Sequence, residues 1–540
     1  MKKHTTTRTL SWILGASACV AAVTLAAGCG GRGYAGMDRA MMPAPSPTMG
    51  DVAPEVQHNT ESYDRIRENP FIAVSDDPLS TFSIDVDTAS YSNVRRFIEQ
   101  GQLPPADAVR VEELINYFRY DYAAPDGADP FSVTAETGPC PWDPKHRLVH
   151  IGLKGQEIEA GQLPPRNLTF LLDVSGSMSN PDKLPLLKAG LALLVEQLSA
   201  RDRVAIVVYA GAAGRVLEPT PGSDKDRILA ALNGLQAGGS TAGGEGIKLA
   251  YATARENFVK GGINRVILAT DGDFNVGVSS RGALERLIEE EREGGVFLTV
   301  LGLGTGNLKD SQMEALADKG NGNYAYIDSI HEARKVLVEE AGSTLVTIAK
   351  DVKLQVEFNP AQVEAFRLIG YENRVMRHQD FADDTKDAGE IGAGHTVTAI
   401  YEVVPAGSGE VAGAVAPLKY QEGATATKEV PAAVSGELLT FKVRYKQPTG
   451  DVSKELVFPV TDGGEQALAN TSNNFRFSAA VAGFGMMLRG SKHAGDLTWP
   501  QVIELATDAR GEDRGGYRTG FLQLAKTAAA MSGKGPSARR

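Results

Sequence analysis

From Asn167 to about Ile348, short β-rich apolar runs alternate with amphipathic helical stretches, and this alternation limits the possible folds more than any other feature of the 540-residue chain. The runs are Leu168–Leu172, Arg203–Tyr209, Arg265–Ala269, Val296–Leu301 and Tyr324–Ile327. After the first of them, Leu184, Leu187, Leu191, Leu194, Val195 and Leu198 recur at 3.6-residue spacing, the signature of a helix with one apolar face. Pro185 fits such a helix only in its first turn, where its missing N–H costs nothing. Further helices are expected over Asp224–Leu235, Glu245–Phe258, Ala283–Glu293 and His331–Ala341. Strands that are apolar on both faces and separated by helices form a doubly wound parallel sheet, so the fold class is α/β.

The flanks follow different rules. Before this domain, Phe82–Asp87 alternates at strand period. Two helices follow, marked by Val94, Phe97 and Ile98 and by Val111, Leu114, Ile115 and Phe118, then strands near Phe131–Thr137 and Leu148–Leu153. Asp87 reads as a helix N-cap. After Asp351, Val352–Phe358, Val397–Val404 and Leu438–Arg444 alternate as antiparallel strands do. Each set is too small for a stable sheet alone, so the two are expected to pair as one β-sandwich with the α/β domain inserted between them. The tail from about Asn473 is helical, with Phe475, Ala479, Ala482 and Met486 on one face and Arg476 and Arg489 on the polar side.

The first 28 residues carry Lys2, Lys3 and Arg8 before an apolar, small-residue stretch that leads into Gly28-Cys29. This is a signal peptide, and Leu25-Ala26-Ala27-Gly28-Cys29 resembles a bacterial lipobox. Lipidation of Cys29 would anchor the exported chain to a bacterial membrane by acyl chains; cleavage without lipidation would give a soluble secreted protein. Residues 29–75 are rich in Pro and polar residues and read as a tether. The remaining boundaries are 76–165 for the first flank, 166–348 for the α/β domain, 349–465 for the β-rich segment and 466–540 for the helical end. Fifty-five basic against 67 acidic residues give a net charge of −12. No overall basic field is available for nucleic acid. Three cysteines exclude a disulfide framework, and Cys140 reads as a buried thiol.

The first α/β strand ends in Asp173-Val174-Ser175-Gly176-Ser177. Ligands of open parallel sheets bind beyond the carboxyl ends of the strands, where these side chains stand. Two further segments reach the same rim: Gly238-Gly239-Ser240-Thr241 before a helix, and Thr270-Asp271-Gly272 after a strand. Carboxylates and neutral hydroxyls suit a hard divalent cation, Mg²⁺ or Mn²⁺, that prefers about six oxygen ligands. Hydroxyl ligands leave the ion's charge uncancelled. It can therefore take one more anionic oxygen, such as a partner's Asp or Glu.

Asp173, Ser175, Ser177, Thr241 and Asp271 match the metal-ion-dependent adhesion site of von Willebrand factor A (VWA) domains. The run Ser80-Thr81-Phe82-Ser83-Ile84-Asp85-Val86-Asp87-Thr88-Ala89-Ser90-Tyr91, and Asn474-Phe475-Arg476-Phe477 leading to Gly483-Phe484-Gly485, resemble the ends of the YfbK-like VWA lipoproteins. The resemblance implies a VWA domain between two flanking regions, without established enzymatic activity. Two functions follow as expectations: a cell-envelope module that captures an acidic residue of a protein partner through its metal, or a metal-dependent hydrolase. The second requires a positioned general base or a second metal, and the rim sequence supplies no His for that role.

Overall fold

The computed structural model describes residues 60–239, 243–272, 281–340, 346–386, 388–409, 436–464 and 466–533. The signal segment, Cys29 and Thr241 lie outside them. The α/β layer is built around Arg166–Asp173, a strand buried at every position. It pairs in parallel with Arg203–Tyr209 on one side and Ile263–Thr270 on the other. Phe297–Leu303 and Tyr324–Ile327 extend the second side, again in parallel. The chain thus builds one side of the central strand and then the other, which opens a crevice at the carboxyl end of that strand.

The sheet is not wholly parallel as expected. Ala213–Pro221 closes one edge antiparallel to Arg203–Tyr209, because the link between them, residues 210–212, is far too short for a parallel crossover. Its residues are mostly exposed or half-buried, so its sequence lacks the apolar run of the inner strands. A further helix, Asp310–Lys319, was also unmarked by the sequence pattern. Pro185 does sit in the first turn of Leu184–Glu196. Leu187, Leu191, Leu194 and Val195 from that helix join Ile228, Leu232 and Val336 over one sheet face. Ile247, Tyr251, Ile288, Met313 and Leu316 cover the other. Each fully buried leucine contributes about 1.5–3 kcal/mol of transfer free energy.

The two flanks interleave in space. Phe131–Cys140 pairs with Asp143–Gly155, which pairs with Thr396–Pro405 and through it with Val363–Ile369. In the second sheet Leu79–Ser83 lies beside Thr347–Phe358, with Phe82 opposite Leu354, and Glu437–Lys446 and Ser453–Thr461 follow. Phe82, Ile151, Leu354, Phe366, Tyr401 and Phe441 share the core between these sheets. The strand at Phe82 begins earlier than its alternation suggested and ends at Ser83. The following acids are drawn to Arg374, whose guanidinium lies 3.1 Å from Asp85, 3.4 Å from Asp87, 2.9 Å from Glu314 and 2.6 Å from Asp318. Asp87 does not cap a helix. Its Oδ1 accepts the N–H of Tyr324 at 2.7 Å, and Thr88 holds the N-cap position without a side-chain bond.

Helices from both ends of the chain form a third core, in which Tyr91, Leu114 and Phe118 meet Phe475, Phe477, Phe484 and Phe521. Asn473–Arg489, N-capped by the Ser472 hydroxyl and stopped by Gly490 at φ +68°, is buried throughout from Phe477 to Met486. It therefore has no single apolar stripe. Arg489, expected on a polar face, is half-buried with its side chain turned inward, pairs with Glu372 and donates to the carbonyl of Val109. Residues 60–75, expected in the tether, belong to the folded body. The N–H groups of Thr60 and Ser62 donate to the carbonyls of Gly306 and Leu308, Glu61 pairs with Arg96 at 2.9 Å, and Ile72 lies opposite Phe366. Their partners lie far away in sequence, so local composition could not reveal this order. Among the described residues no helix is long and apolar enough to cross a membrane.

Candidate metal-ion site

Asp173 ends the central strand, and the chain turns at Val174, whose N–H is held by the carbonyl of Tyr209 at 3.1 Å. The N–H of Ser175 donates to Asp173 Oδ1 at 2.8 Å, and the Ser175 and Ser177 hydroxyls meet at 3.0 Å. Gly176–Ser179 makes a single 3₁₀ turn pinned by fully buried Met178, which leaves Ser177 on the exposed rim. Across the crevice, Gly176 N–H donates to Gly239 O at 3.1 Å and Gly238 N–H to Val174 O at 2.8 Å. The loop toward Thr241 is described as far as Gly239.

The neighbouring strand Ile263–Thr270 delivers the second carboxylate. Thr270 Oγ1 donates to Asp173 Oδ2 at 3.3 Å, and Asp271 follows, 2% exposed. Gly272 then turns the chain at φ +128°, where a Cβ would lie 1.9 Å from the carbonyl oxygen of Asn307; only glycine lets the loops approach this closely. Burial raises the Asp173 carboxyl above its ordinary range, and the Asp271 charge adds to this, against the lowering effect of hydrogen bonds from Ser175 and Thr270. Burial also pushes the nearby Tyr209 hydroxyl well up, with the Asp173 charge acting in the same direction.

The structure therefore brings Asp173, Ser175, Ser177 and Asp271 to one rim. It adds a residue that the motif did not contain. Lys183 Nζ donates to Asp271 Oδ2 at 2.9 Å, and both side chains are buried. Lys183 stands at the N-cap of Leu184–Glu196, an end where the helix dipole disfavours cations. That misplaced positive charge is the signal that sequence reading could have used. The donor set is all oxygen, with two carboxylates and two adjacent hydroxyls, and fits a hard divalent cation; Lys183 leaves these described groups with one net negative charge.

Among the described residues a second acidic group lies elsewhere: oxygens of Asp87, Glu113 and Glu314 fall within 4.8 Å of one another. Each of these carboxylates has a protein donor: Tyr324 N–H for Asp87, Ser90 N–H and Arg110 for Glu113, and Asn373 and Arg374 for Glu314. With the Arg110–Asp310 pair, these contacts fasten helix Asp310–Lys319 to the flanking segments.

Comparisons with known proteins place this chain in a lineage. The family described as "von Willebrand factor type A domain" matches residues 167–338. One described as "von Willebrand factor" matches residues 57–150, and "Uncharacterized protein YfbK, C-terminal" matches residues 343–531. The chain is 43% identical over 476 residues to the uncharacterized protein YfbK of Escherichia coli (strain K12), covering 87% of this chain and 81% of that one. It is 31% identical over 116 residues to the magnesium-chelatase 60 kDa subunit of Rhodobacter capsulatus, covering 21% and 20% respectively. A solved von Willebrand factor type A structure from Catenulispora acidiphila aligns at TM-score 0.39 and 14% identity, over 77% of this chain and 98% of that one. With a relative this similar along most of both chains, and family matches in the middle and at both ends, the chain is a member of the YfbK-like family of VWA-domain proteins.

Proposed function

We propose that this protein is exported, anchored to a bacterial membrane through lipid on Cys29, and that its VWA domain holds Mg²⁺ or Mn²⁺ to capture an acidic residue of a partner protein. The metal ligands in this reading are Asp173, Ser175, Ser177, Thr241 and Asp271. The observation that carries it is the pair of adjacent serine hydroxyls beside two buried carboxylates, at the carboxyl end of the central strand. Hydroxyl ligands do not offset the charge of the ion. An ion held there by so many neutral oxygens keeps room for one more anionic ligand, which a partner's Asp or Glu supplies.

The same contacts weigh against hydrolysis. A general base must be free to accept a proton from water. Asp271 is paired with Lys183, and Asp173 accepts bonds from Ser175 and Thr270. Glu245, the carboxylate four residues after Thr241, is exposed in the first turn of its helix, where the dipole accounts for it. The test is a pull-down from envelope extract with wild type and Asp173→Asn, with and without EDTA. The expected result is a partner retained by wild type, released by EDTA and absent with Asp173→Asn. Retention that is indifferent to both EDTA and the substitution would refute capture through metal.

A further inference from the structure

On the strength of the metal-site reading above, we propose that Lys183 sets the metal affinity of the site by competing with the divalent ion for Asp271. Lys183 Nζ lies 2.9 Å from Asp271 Oδ2, and their side chains are 6% and 2% exposed. This is a built position and not a surface lysine that happened to fold inward. The lysine stem passes over Gly304, where a Cβ would fall 2.1 Å from Lys183 Cε and 2.6 Å from Cγ. Gly304 itself turns at φ +70°, so backbone and lysine are fitted to each other. Helix stability does not explain the residue, since a cation at a helix N-terminus opposes the dipole.

A buried ion pair that loses one partner leaves the other charge uncompensated, at considerable cost. A divalent ion that enters beside Asp173, Ser175 and Ser177 and takes Asp271 as a ligand must displace the ammonium. The ammonium, stripped of its carboxylate, must then reach water, because an unpaired charge is not tolerated in the interior. Metal binding is weakened by that amount. The site fills and empties with the supply of divalent ion and is not permanently loaded, and Lys183 fixes where that balance lies.

The experiment titrates Mg²⁺ alone into the full chain by calorimetry, comparing wild type, Lys183→Met and Asp173→Asn. Methionine keeps an unbranched stem over Gly304 and deletes the charge. Removing a unit positive charge this close to a cation site should tighten Mg²⁺ binding by about tenfold or more. Affinity that is equal to wild type or weaker, in a variant folded by circular dichroism, overturns the proposal. Asp173→Asn leaves the Lys183–Asp271 pair in place and reports on the metal site alone. If it loses Mg²⁺ while Lys183→Met gains nothing, only the competition fails. If wild type and Asp173→Asn titrate identically, the metal reading fails and the role of Lys183 falls with it. Should Lys183→Met not fold, amine acetylation read by mass spectrometry answers the question in wild type. Saturating Mg²⁺ should raise labelling of Lys183, and unchanged labelling overturns the proposal.

Discussion

Single residues at the rim separate metal coordination from surface charge. Thr241→Ala removes one hydroxyl and no charge. If Thr241 ligates the ion, Mg²⁺ affinity should fall about 10–100-fold while the circular dichroism spectrum is unchanged. Asp271→Asn should weaken Mg²⁺ binding as well, through a second ligand. A merely acidic patch would respond weakly to Asp271→Asn, not at all to Thr241→Ala, and less still in high salt. Calorimetry decides, and equal affinity in wild type and Thr241→Ala removes that residue from the site. Asp173, Ser175 and Ser177 were legible in the sequence because one short turn carries all three. For Lys183 the sequence offered only an ill-placed charge at a helix N-terminus, because the carboxylate that gives it a role lies 88 positions away.

Helix Asp310–Lys319 is held by an excess of buried acids over guanidinium groups, and this should give the fold a pH signature. Burial pushes the Asp318 carboxyl up to about 7, with the Asp85 charge adding and Arg374 opposing. Burial likewise pushes Glu112 up to about 7, with Glu372 and Glu113 adding and Arg489 opposing. A carboxyl raised in the folded state binds its proton more tightly there than in the unfolded chain. Its contribution to stability is complete below the ordinary carboxylate range and is lost as pH rises through about 7. The melting temperature should therefore fall between pH 6.5 and 8.5. Buried histidines such as His150 and His395, which burial depresses to about 3 and about 4, act in the opposite sense, and their effect dies away as pH rises past the ordinary histidine value of about 6.5. A flat or rising profile would contradict this account. At this scale the sequence misled where polar residues break an apolar run. Val363–Ile369 carries Arg367, buried against Glu402 at 2.6 Å, and Ser453–Thr461 carries Pro459 in a strand at the sheet edge, where proline is tolerated.

Across the whole molecule, neither flank completes a sheet without the other. A chain truncated after residue 340 lacks Thr347–Phe358, Val363–Ile369 and Thr396–Pro405, the partners of Leu79–Ser83, Ile72–Ala73 and Asp143–Gly155. It should show exposed strand edges, self-association on size exclusion and no single cooperative melt of the full body. A monomer that melts as sharply as the full chain would show the flanks to be independent. The membrane attachment is tested separately. Cys29→Ser should abolish labelling by radioactive palmitate and detergent partitioning in the producing bacterium. Partitioning that survives the substitution, without label in wild type, would exclude the lipid anchor.

The sequence by itself determined what local pattern can carry: the parallel α/β layer, from apolar runs spaced by helical stripes, and the Asp173–Ser177 turn, from the place where one run ends. It also supplied the reason for two incomplete flanks to meet, since each lacked enough strands for a sheet. Tertiary structure alone decided which distant charges meet. Asp87 binds the backbone of Tyr324 and leaves its helix uncapped, Thr60 and Ser62 join the folded body, and Lys183 finds Asp271. The physical reason is one of range. Periodicity is set by neighbours a few residues apart, whereas a buried charge takes its role from the partner that folding brings to it, and that partner leaves no trace in the residues beside it.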